Sequence, residues 1–296
     1  MNRLLVTGAS GFIGNAVIRA LAGHAFETVC VSRSSHADDG VRWIGANLLD
    51  SADIRSTIHA VRPTHLLHLA WVTTPGDYWF SPENLQWLMA SVELFRVFTE
   101  TGGRRVVASG SCAEYEGVDG WCVEATTPLR PNTLYGKCKL ALADTLSAIS
   151  AGSNVGTVWA RLFYPYGPSE PQAKLVASVV DALLRAEHVD CTEGQQERDF
   201  IFVDDLAEAM VALVVDDCQG VFNIGTGQPV KVRDVIQEIA RQIGREDLVR
   251  FGAKPMPPHE PLRLVADMRK TFSTIGWRPR TTLSEGVSRC ISARRI

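Results

Sequence analysis

No apolar run in this chain approaches the roughly 18 residues needed to cross a bilayer as a helix. Basic residues are not in excess either: 30 Lys and Arg stand against 33 Asp and Glu, a formal charge of −3, so the charge needed to track a phosphate backbone is missing and nucleic acid is not an expected partner. The seven cysteines (Cys30, Cys112, Cys122, Cys138, Cys191, Cys218 and Cys290) are odd in number and never spaced Cys-x-x-Cys. That pattern argues against a disulfide framework and against a zinc set; reduced thiols and no metal are expected. Cys112 and Cys138 are read as small apolar fillers. The first residues, Met-Asn-Arg-Leu-Leu-Val-Thr-Gly, lack a charged leader, an apolar signal core and a cleavage site, which predicts a cytoplasmic protein away from membranes. Internal repeats and low-complexity segments are absent as well.

What is present is an ordinary globular balance, 46% hydrophobic and 21% charged over 296 residues. That length suits one large α/β domain with a smaller lobe rather than two full-size domains. Short β-rich runs at residues 3–7, 28–32, 41–44, 65–70, 104–109 and 155–160 alternate with helical periods at 12–23, 51–61, 83–101 and 133–150. This alternation predicts βαβ units and a doubly wound parallel sheet of the Rossmann kind. Beyond Arg161 the pattern changes: Pro165, Pro168 and Pro171 crowd together, and Pro255, Pro257, Pro258 and Pro261 mark a second loop-rich stretch. The expected division is a dinucleotide-binding domain over 1–164, with later segments returning to it, and a smaller α/β substrate-binding lobe mainly over 165–296.

Thr7-Gly8-Ala9-Ser10-Gly11-Phe12-Ile13-Gly14 joins the first predicted strand to the first predicted helix. One glycine makes the tight turn, one lets backbone approach a pyrophosphate, and one lets helix and strand pack closely; the helix N-terminus offers N–H groups to the phosphates. Gly8, Gly11, Phe12, Ile13 and Gly14 are therefore cofactor candidates. At the end of the second strand an acidic residue would bind the adenosine ribose of NAD. Ser32-Arg33-Ser34-Ser35 stands there instead, supplying a guanidinium and hydroxyls suited to a 2′-phosphate, so NADP is read over NAD. Asp38 and Asp39 come later, before Gly40, and read as an exposed turn.

Tyr135 and Lys139 are four residues apart in a predicted helix and so share one face. A phenol is a poor acid or base at neutral pH, but a nearby ammonium and an oxidised nicotinamide are expected to lower its pKa, letting Tyr135 exchange a proton with a carbonyl oxygen. Lys139 would also hold the cofactor ribose. Upstream, Ser111 follows the run Val106-Val107-Ala108-Ser109 at the carboxyl edge of the sheet and can donate to the same oxygen; Ser109 is the competing candidate.

In these motifs the chain resembles the extended short-chain dehydrogenase/reductase family of nucleotide-sugar epimerases, dehydratases and reductases. The resemblance runs through the glycine turn, His68-Leu69-Ala70, Ser111 with Tyr115, and Tyr135/Lys139 after Pro131. It continues through the segment Arg161 to Pro168, Arg198-Asp199-Phe200, Phe222-Asn223-Ile224-Gly225-Thr226-Gly227 and Gly276-Trp277-Arg278-Pro279. It implies a Ser111, Tyr135 and Lys139 triad, an adenine pocket lined by Asn47 and Leu48, and Leu69 and Ala70 beside the cofactor. It further implies that Arg198, and more weakly Arg263, contacts the diphosphate of a nucleotide sugar; pairing of Arg198 with Glu197 or Asp199 is the rival reading. Dehydratases of the family carry an acidic residue within two positions after the Ser or Thr, where this chain has Cys112 and Ala113, with Glu114 one place too late. Tyr164 stands where family members commonly have Asn, and Trp71, Thr73, Tyr78 and Trp79 could wall the sugar pocket. NADPH-dependent reduction of a keto group, for example on a 4-keto-6-deoxy sugar nucleotide, is the favoured reading. A NAD-dependent nucleotide-sugar 4-epimerase is the alternative within enzymes, and a non-catalytic NADP-sensing protein the alternative outside them. The helices at 83–101 and 133–150 resemble those that pair across a two-fold axis in this family, so a homodimer is expected, with Leu88, Val92, Phe95, Leu140, Leu142 and Leu146 supplying apolar surface.

Overall fold

A computed structural model describes residues 2–33, 41–74, 76–115, 120–257 and 260–295; Ser34, Asp38 and Asp39 lie outside the described residues. In chain order the first half runs β1 (Asn2–Thr7), α1 (Phe12–Ala20), β2 (Phe26–Ser32), β3 (Arg42–Gly45), α2 (Ser51–Val61), β4 (His65–His68), α3 (Glu83–Glu100), β5 (Arg105–Ser111), β6 (Gly120–Cys122), α4 (Leu134–Ala151) and β7 (Gly156–Leu162). The remainder adds β8 (Tyr164–Tyr166), α5 (Leu175–Leu184), β9 (Val189–Asp190), β10 (Glu197–Arg198), β11 (Phe200–Phe202), α6 (Val203–Val215), β12 (Gly220–Ile224), β13 (Val230–Lys231), α7 (Val232–Ile243), β14 (Val249–Arg250), β15 (Arg263–Ala266), α8 (Arg269–Ile275) and α9 (Leu283–Arg294).

The continuous apolar runs become strands buried on both faces, as a parallel sheet requires. Seven strands pair in the order β12-β7-β5-β4-β1-β2-β3, all in parallel. Alternate residues serve opposite faces: Leu4, Val6 and Leu67 belong to the core under α1 and α6, while Leu5, Leu66 and Val106 join Phe95 and Phe98 in the core under α2, α3 and α4. The strand order reverses between β1 and β4, and ligands of open α/β sheets bind at such a switch point, beyond the carboxyl ends of the strands. The architecture is therefore the doubly wound Rossmann type expected. Several boundaries differ from the sequence expectation: β2 begins at Phe26, β4 ends at His68 and β7 runs on to Leu162. Helix α1 stops at Ala20, short of residue 23, and β5 continues to Ser111, because β7 offers Ala160, Arg161 and Leu162 as ladder partners for Ser109, Gly110 and Ser111.

A smaller four-stranded sheet, β13-β10-β15-β6, lies beside the first. A third core joins Tyr166 and Phe202 to α5, α7 and α9. The chain crosses between the two sheets more than once: β6 precedes β7 in sequence yet joins the smaller sheet, and β12 lies between β10 and β13 in sequence yet joins the larger. Asp199, fully buried, accepts from the Thr226 amide (2.7 Å) and hydroxyl (2.6 Å), the Gly227 amide (2.9 Å) and the Ala266 amide (3.1 Å), and so ties the loop after β12 to the end of β15.

The glycine turn is braced from below by His68. Ser91 Oγ donates to the Trp87 carbonyl at 2.6 Å, so it accepts from His68 Nε2 at 2.9 Å, leaving Nδ1 to accept from Thr7 Oγ1 at 2.8 Å. Thr7 Oγ1 in turn accepts from the Ala70 amide at 3.4 Å. Each member of this chain needs a neutral imidazole, and burial, joined by the Lys139 charge, holds the His68 pKa down to about 3. Below the ordinary histidine value the unfolded chain then binds a proton that the folded chain refuses, so stability falls as pH drops from about 6.5 toward 3. The expected slope from His68 alone is about 1 kcal/mol per pH unit. Urea unfolding between pH 7 and 4 tests this: His68→Gln is expected to be less stable at pH 7 but to lose stability with acid less steeply than the wild type. Parallel acid slopes would show that His68 is not the responsible group.

Candidate active site

At the carboxyl end of β1 the backbone doubles back under tight steric limits. Gly8 has φ +69°, and a Cβ there would sit 2.6 Å from the Ala70 amide nitrogen; a Cβ on Gly14 would sit 2.1 Å from the Gly8 carbonyl oxygen. Gly11 opens α1 with extended backbone and no side-chain cap, leaving Phe12, Ile13 and the helix N-terminus to face the switch point. This cradle, too tight for any side chain, suits the close backbone approach of a pyrophosphate. Ser32 is buried at the end of β2 and Arg33 is exposed just beyond it. Leu48 packs into the sheet core, while Asn47 Oδ1 accepts from the Leu49 amide at 3.2 Å; Leu69 is half-buried and Ala70 buried against Gly8.

Three chemistry-bearing side chains converge at the end of β5. Ser111 is its last residue, and Tyr135 and Lys139 project from the first turns of α4, which Thr133 caps by accepting from the Gly136 amide. The Ser111 hydroxyl oxygen accepts from the Ala113 amide at 3.1 Å, which leaves the hydroxyl proton free to donate elsewhere. Tyr135 is buried and hydrogen-bonds Ser111; burial nevertheless pushes its pKa well above the ordinary phenol value. The expected lowering by Lys139 is not found, because the ammonium turns to the Ser109 carbonyl at 2.8 Å and stands 6.0 Å from the centre of the Tyr135 ring. Ser109 therefore serves through its carbonyl, and of the two serines Ser111 is the one that meets the phenol. Burial also drives the Lys139 pKa down to about 7, with Glu114 pulling the other way.

The residues after β4 close over this group. The edges and faces of Tyr78 and Tyr135 meet at 5.0 Å and those of Trp79 and Tyr135 at 5.7 Å, and the Tyr135 amide donates to the Trp79 carbonyl at 3.0 Å. Trp71 lies on Lys139, 3.9 Å from Nζ to the ring centre, so its indole is turned to the lysine, whereas Thr73 is exposed. Tyr164 on β8 and Arg198 on β10 also meet here, the guanidinium 5.6 Å from the phenol ring. Arg198 is buried and donates to the carbonyls of Glu197 and Pro261, each at 2.9 Å, and to the Glu260 carboxylate. Its acidic partner is thus Glu260, neither Glu197 nor Asp199. Arg263 pairs with Glu197 and lies 5.2 Å over Trp121. The Cys112 thiol, whose pKa burial pushes up to about 12, packs in the core, as expected.

Glu114 is the member that sequence reasoning passed over. Buried beneath Ser111, it accepts from the Ser111 amide (2.7 Å), from Trp159 Nε1 (2.9 Å) and from Arg161 Nε (2.7 Å). Burial pushes this carboxyl up and Arg161 pulls it down; with donors on every side, the ionised form is the one the geometry accommodates. Arg161 Nη1 then donates to Tyr115, which donates to Asn223 Oδ1 at 2.6 Å. A signal was available: Ser111 and Glu114 form a capping box, the Ser-x-x-Glu spacing in which each side chain satisfies the other's backbone. Occupied in this way, Glu114 is not a free acid for eliminating water. Among the described residues, no group of three or more His, Cys, Asp or Glu side chains could hold a metal ion, and no helix is long and apolar enough to cross a membrane.

A parallel sheet with a glycine cradle at its switch point and a Ser–Tyr–Lys group beside it defines a Rossmann protein of the nicotinamide-dependent kind. The family model of the NAD dependent epimerase/dehydratase family matches residues 4–225, and the chain belongs to that family. It is 23% identical over 315 residues to the dTDP-4-dehydro-6-deoxyglucose reductase of Escherichia coli, covering 99% of this chain and 98% of the relative. It is 30% identical over 280 residues to an ADP-L-glycero-D-manno-heptose-6-epimerase of Nitratidesulfovibrio vulgaris, covering 85% and 84%. Among solved structures, MoeE5 in complex with UDP-glucose and NAD superposes with a TM-score of 0.88 at 28% identity over 99% of both chains.

Breaking a buried ion pair from one side leaves an uncompensated charge and costs about 3–5 kcal/mol. Glu114→Gln, which keeps the shape and removes the charge, is expected to lower the unfolding free energy in urea by that order. A loss below about 1 kcal/mol would mean that Arg161 finds its compensation elsewhere.

Proposed function

We propose that the protein reduces a keto group on a nucleotide-linked sugar, a 4-keto-6-deoxy hexose, with NADPH. The end of β2 supports reduction with NADPH above all: Ser32 and Arg33 stand where an acidic residue would bind the NAD ribose, and the Tyr135 phenol beside Ser111 suits the proton donor that reduction needs. Ser111 would steady the carbonyl oxygen by donating its hydroxyl proton to it as negative charge develops, and Tyr135 would deliver its proton to that oxygen and recover one from solvent. When bound, the reduced nicotinamide supplies the hydride to the carbonyl carbon. Lys139 would hold the cofactor ribose. Gly8, Gly11, Phe12, Ile13, Gly14, Leu69 and Ala70 would hold the pyrophosphate and its neighbours, and Asn47 and Leu48 the adenine; Ser32, Arg33 and Ser34 would take the 2′-phosphate. On the substrate side, Arg198 would take the diphosphate after displacing Glu260, with Arg263, Tyr164 and Thr73 around the sugar. The reductase relative spanning nearly the whole chain supports this reading.

An NAD-dependent epimerase is the second reading, favoured by the epimerase relative and by the NAD in MoeE5. The two separate on a panel of nucleotide-linked 4-keto sugars followed by absorbance of the reduced cofactor. Stoichiometric NADPH consumption is expected. Tyr135→Phe should lower kcat by about 10²–10⁴-fold. Arg33→Ala should weaken NADPH by roughly 10- to 100-fold while leaving NADH nearly unchanged, the worth of one charge-assisted hydrogen bond. Interconversion of sugar epimers without net cofactor use, or a wild type that prefers NADH, would replace the reductase with the epimerase.

We also infer a homodimer through α3 and α4. Phe95, Leu142 and Leu146 are spent on the core of their own chain, but Leu88, Val92 and Leu140 are half-buried, and Leu85 and Met89 on α3 are 48% and 65% exposed. Light scattering at micromolar concentration should return twice the chain mass; a monomer mass would remove the inference.

A further inference from the structure

Lys139 is a buried cation whose surroundings are mostly rings. Its Nζ donates to the Ser109 carbonyl at 2.8 Å. Trp159 and Tyr135 stand 5.9 Å and 6.0 Å from Nζ, at the limit of a useful cation–π contact, while the centre of the Trp71 indole is 3.9 Å away. The indole is not there by loose packing. Trp71 Nε1 donates to Asn84 Oδ1 at 2.8 Å, and Asn84, fully buried at the start of α3, donates to the carbonyls of Tyr78 (2.6 Å) and Ser81 (2.8 Å). Trp87 packs beside it at 6.5 Å. A buried amide thus fixes the rotation of the indole and aims its face at Nζ. The negative face of an indole attracts a desolvated ammonium.

We propose that Trp71 is a positioning residue for the Ser111, Tyr135 and Lys139 group: its indole face holds the Lys139 ammonium on the Ser109 carbonyl. The role rests on the reading of Lys139 as part of the reaction site. It differs from the pocket wall that the sequence suggested, since the face that would meet a sugar is given to the lysine. The charged and titratable groups around Lys139 make the contact consequential. Glu114, from the turn after β5, favours the ammonium; burial opposes it; His68 on β4 is neutral and feels the Lys139 charge; Tyr135 on the same helix is neutral. With burial bringing Lys139 to about 7, ammonium and amine are nearly balanced at neutral pH, and a modest attraction decides which is present.

The chain has six lysines, so carbon-13 labelling at the lysine ε position and NMR titration of the free protein can follow Lys139, with Lys139→Met assigning its resonance. Trp71→Leu is expected to move the Lys139 midpoint down by about one pH unit or more, a tenfold shift toward the amine, and Trp71→Phe by less. Should the Leu variant not fold, mono- and difluorinated tryptophan placed only at position 71 keep the shape and weaken the face, so the midpoint should fall in two steps. A midpoint that fluorination leaves in place overturns the proposal. The titration needs neither cofactor nor substrate, so it stands apart from the choice of sugar: a failed substrate panel with an intact titration removes the proposed reaction and leaves the Trp71 contact. In turnover, the alkaline limb of kcat should move to lower pH with the midpoint; an unmoved limb would separate Trp71 from the reaction.

Discussion

The carboxylate of Glu114 is the point on which the site rests. It lies under the last residue of β5 and receives the Ser111 amide, the Trp159 indole and the Arg161 guanidinium, groups carried by two neighbouring strands of the sheet. Through Arg161, Tyr115 and Asn223 the same network reaches β12, and the Asn223 amide donates on to the Cys122 carbonyl in the smaller sheet at 2.7 Å. A buried charge tolerates little displacement, because each lost partner leaves a group that water cannot reach. The carboxyl edge of the sheet is therefore held rigid where a reacting oxygen must be met within a fraction of an ångström.

One cause, removal from water, sets the electrostatics on both sides of that edge. Burial keeps the Tyr135 phenol protonated, brings the Lys139 ammonium close to losing its proton, and holds His68 neutral under the glycine turn. In each case the uncharged form gains. The opposing influences are local: the Ser111 hydrogen bond on the phenol, Glu114 and the Trp71 face on the lysine. The site thus carries one protonated phenol and one cation close to losing its proton.

The glycine turn, the alternation of strand and helix, and the Tyr135/Lys139 spacing were legible because they depend on near neighbours in the chain. A turn with positive φ and no room for a Cβ, as at Gly8, needs glycine, and a four-residue step in a helix puts two side chains on one face before any packing occurs. Ser111 was legible as a strand-end hydroxyl, though the choice between it and Ser109 depended on which face of β5 met α4. Glu114 was legible only as half of a capping box; its ion pair with Arg161 spans 47 residues, a separation with no local signature.

By itself, then, the sequence determined the Rossmann class and the place of the glycine turn, and put Tyr135 and Lys139 on one helix face, since periodicity, turn chemistry and helical spacing are short-range properties. Only the tertiary structure decided what those residues feel. Trp71 turns to the lysine because Asn84, thirteen residues away, anchors its ring. Arg198 turns to Glu260, and Lys139 turns from the phenol to a backbone carbonyl. Direction, burial and charge state arise from contacts between distant segments, and those exist only once the sheet has closed and water has left its edge.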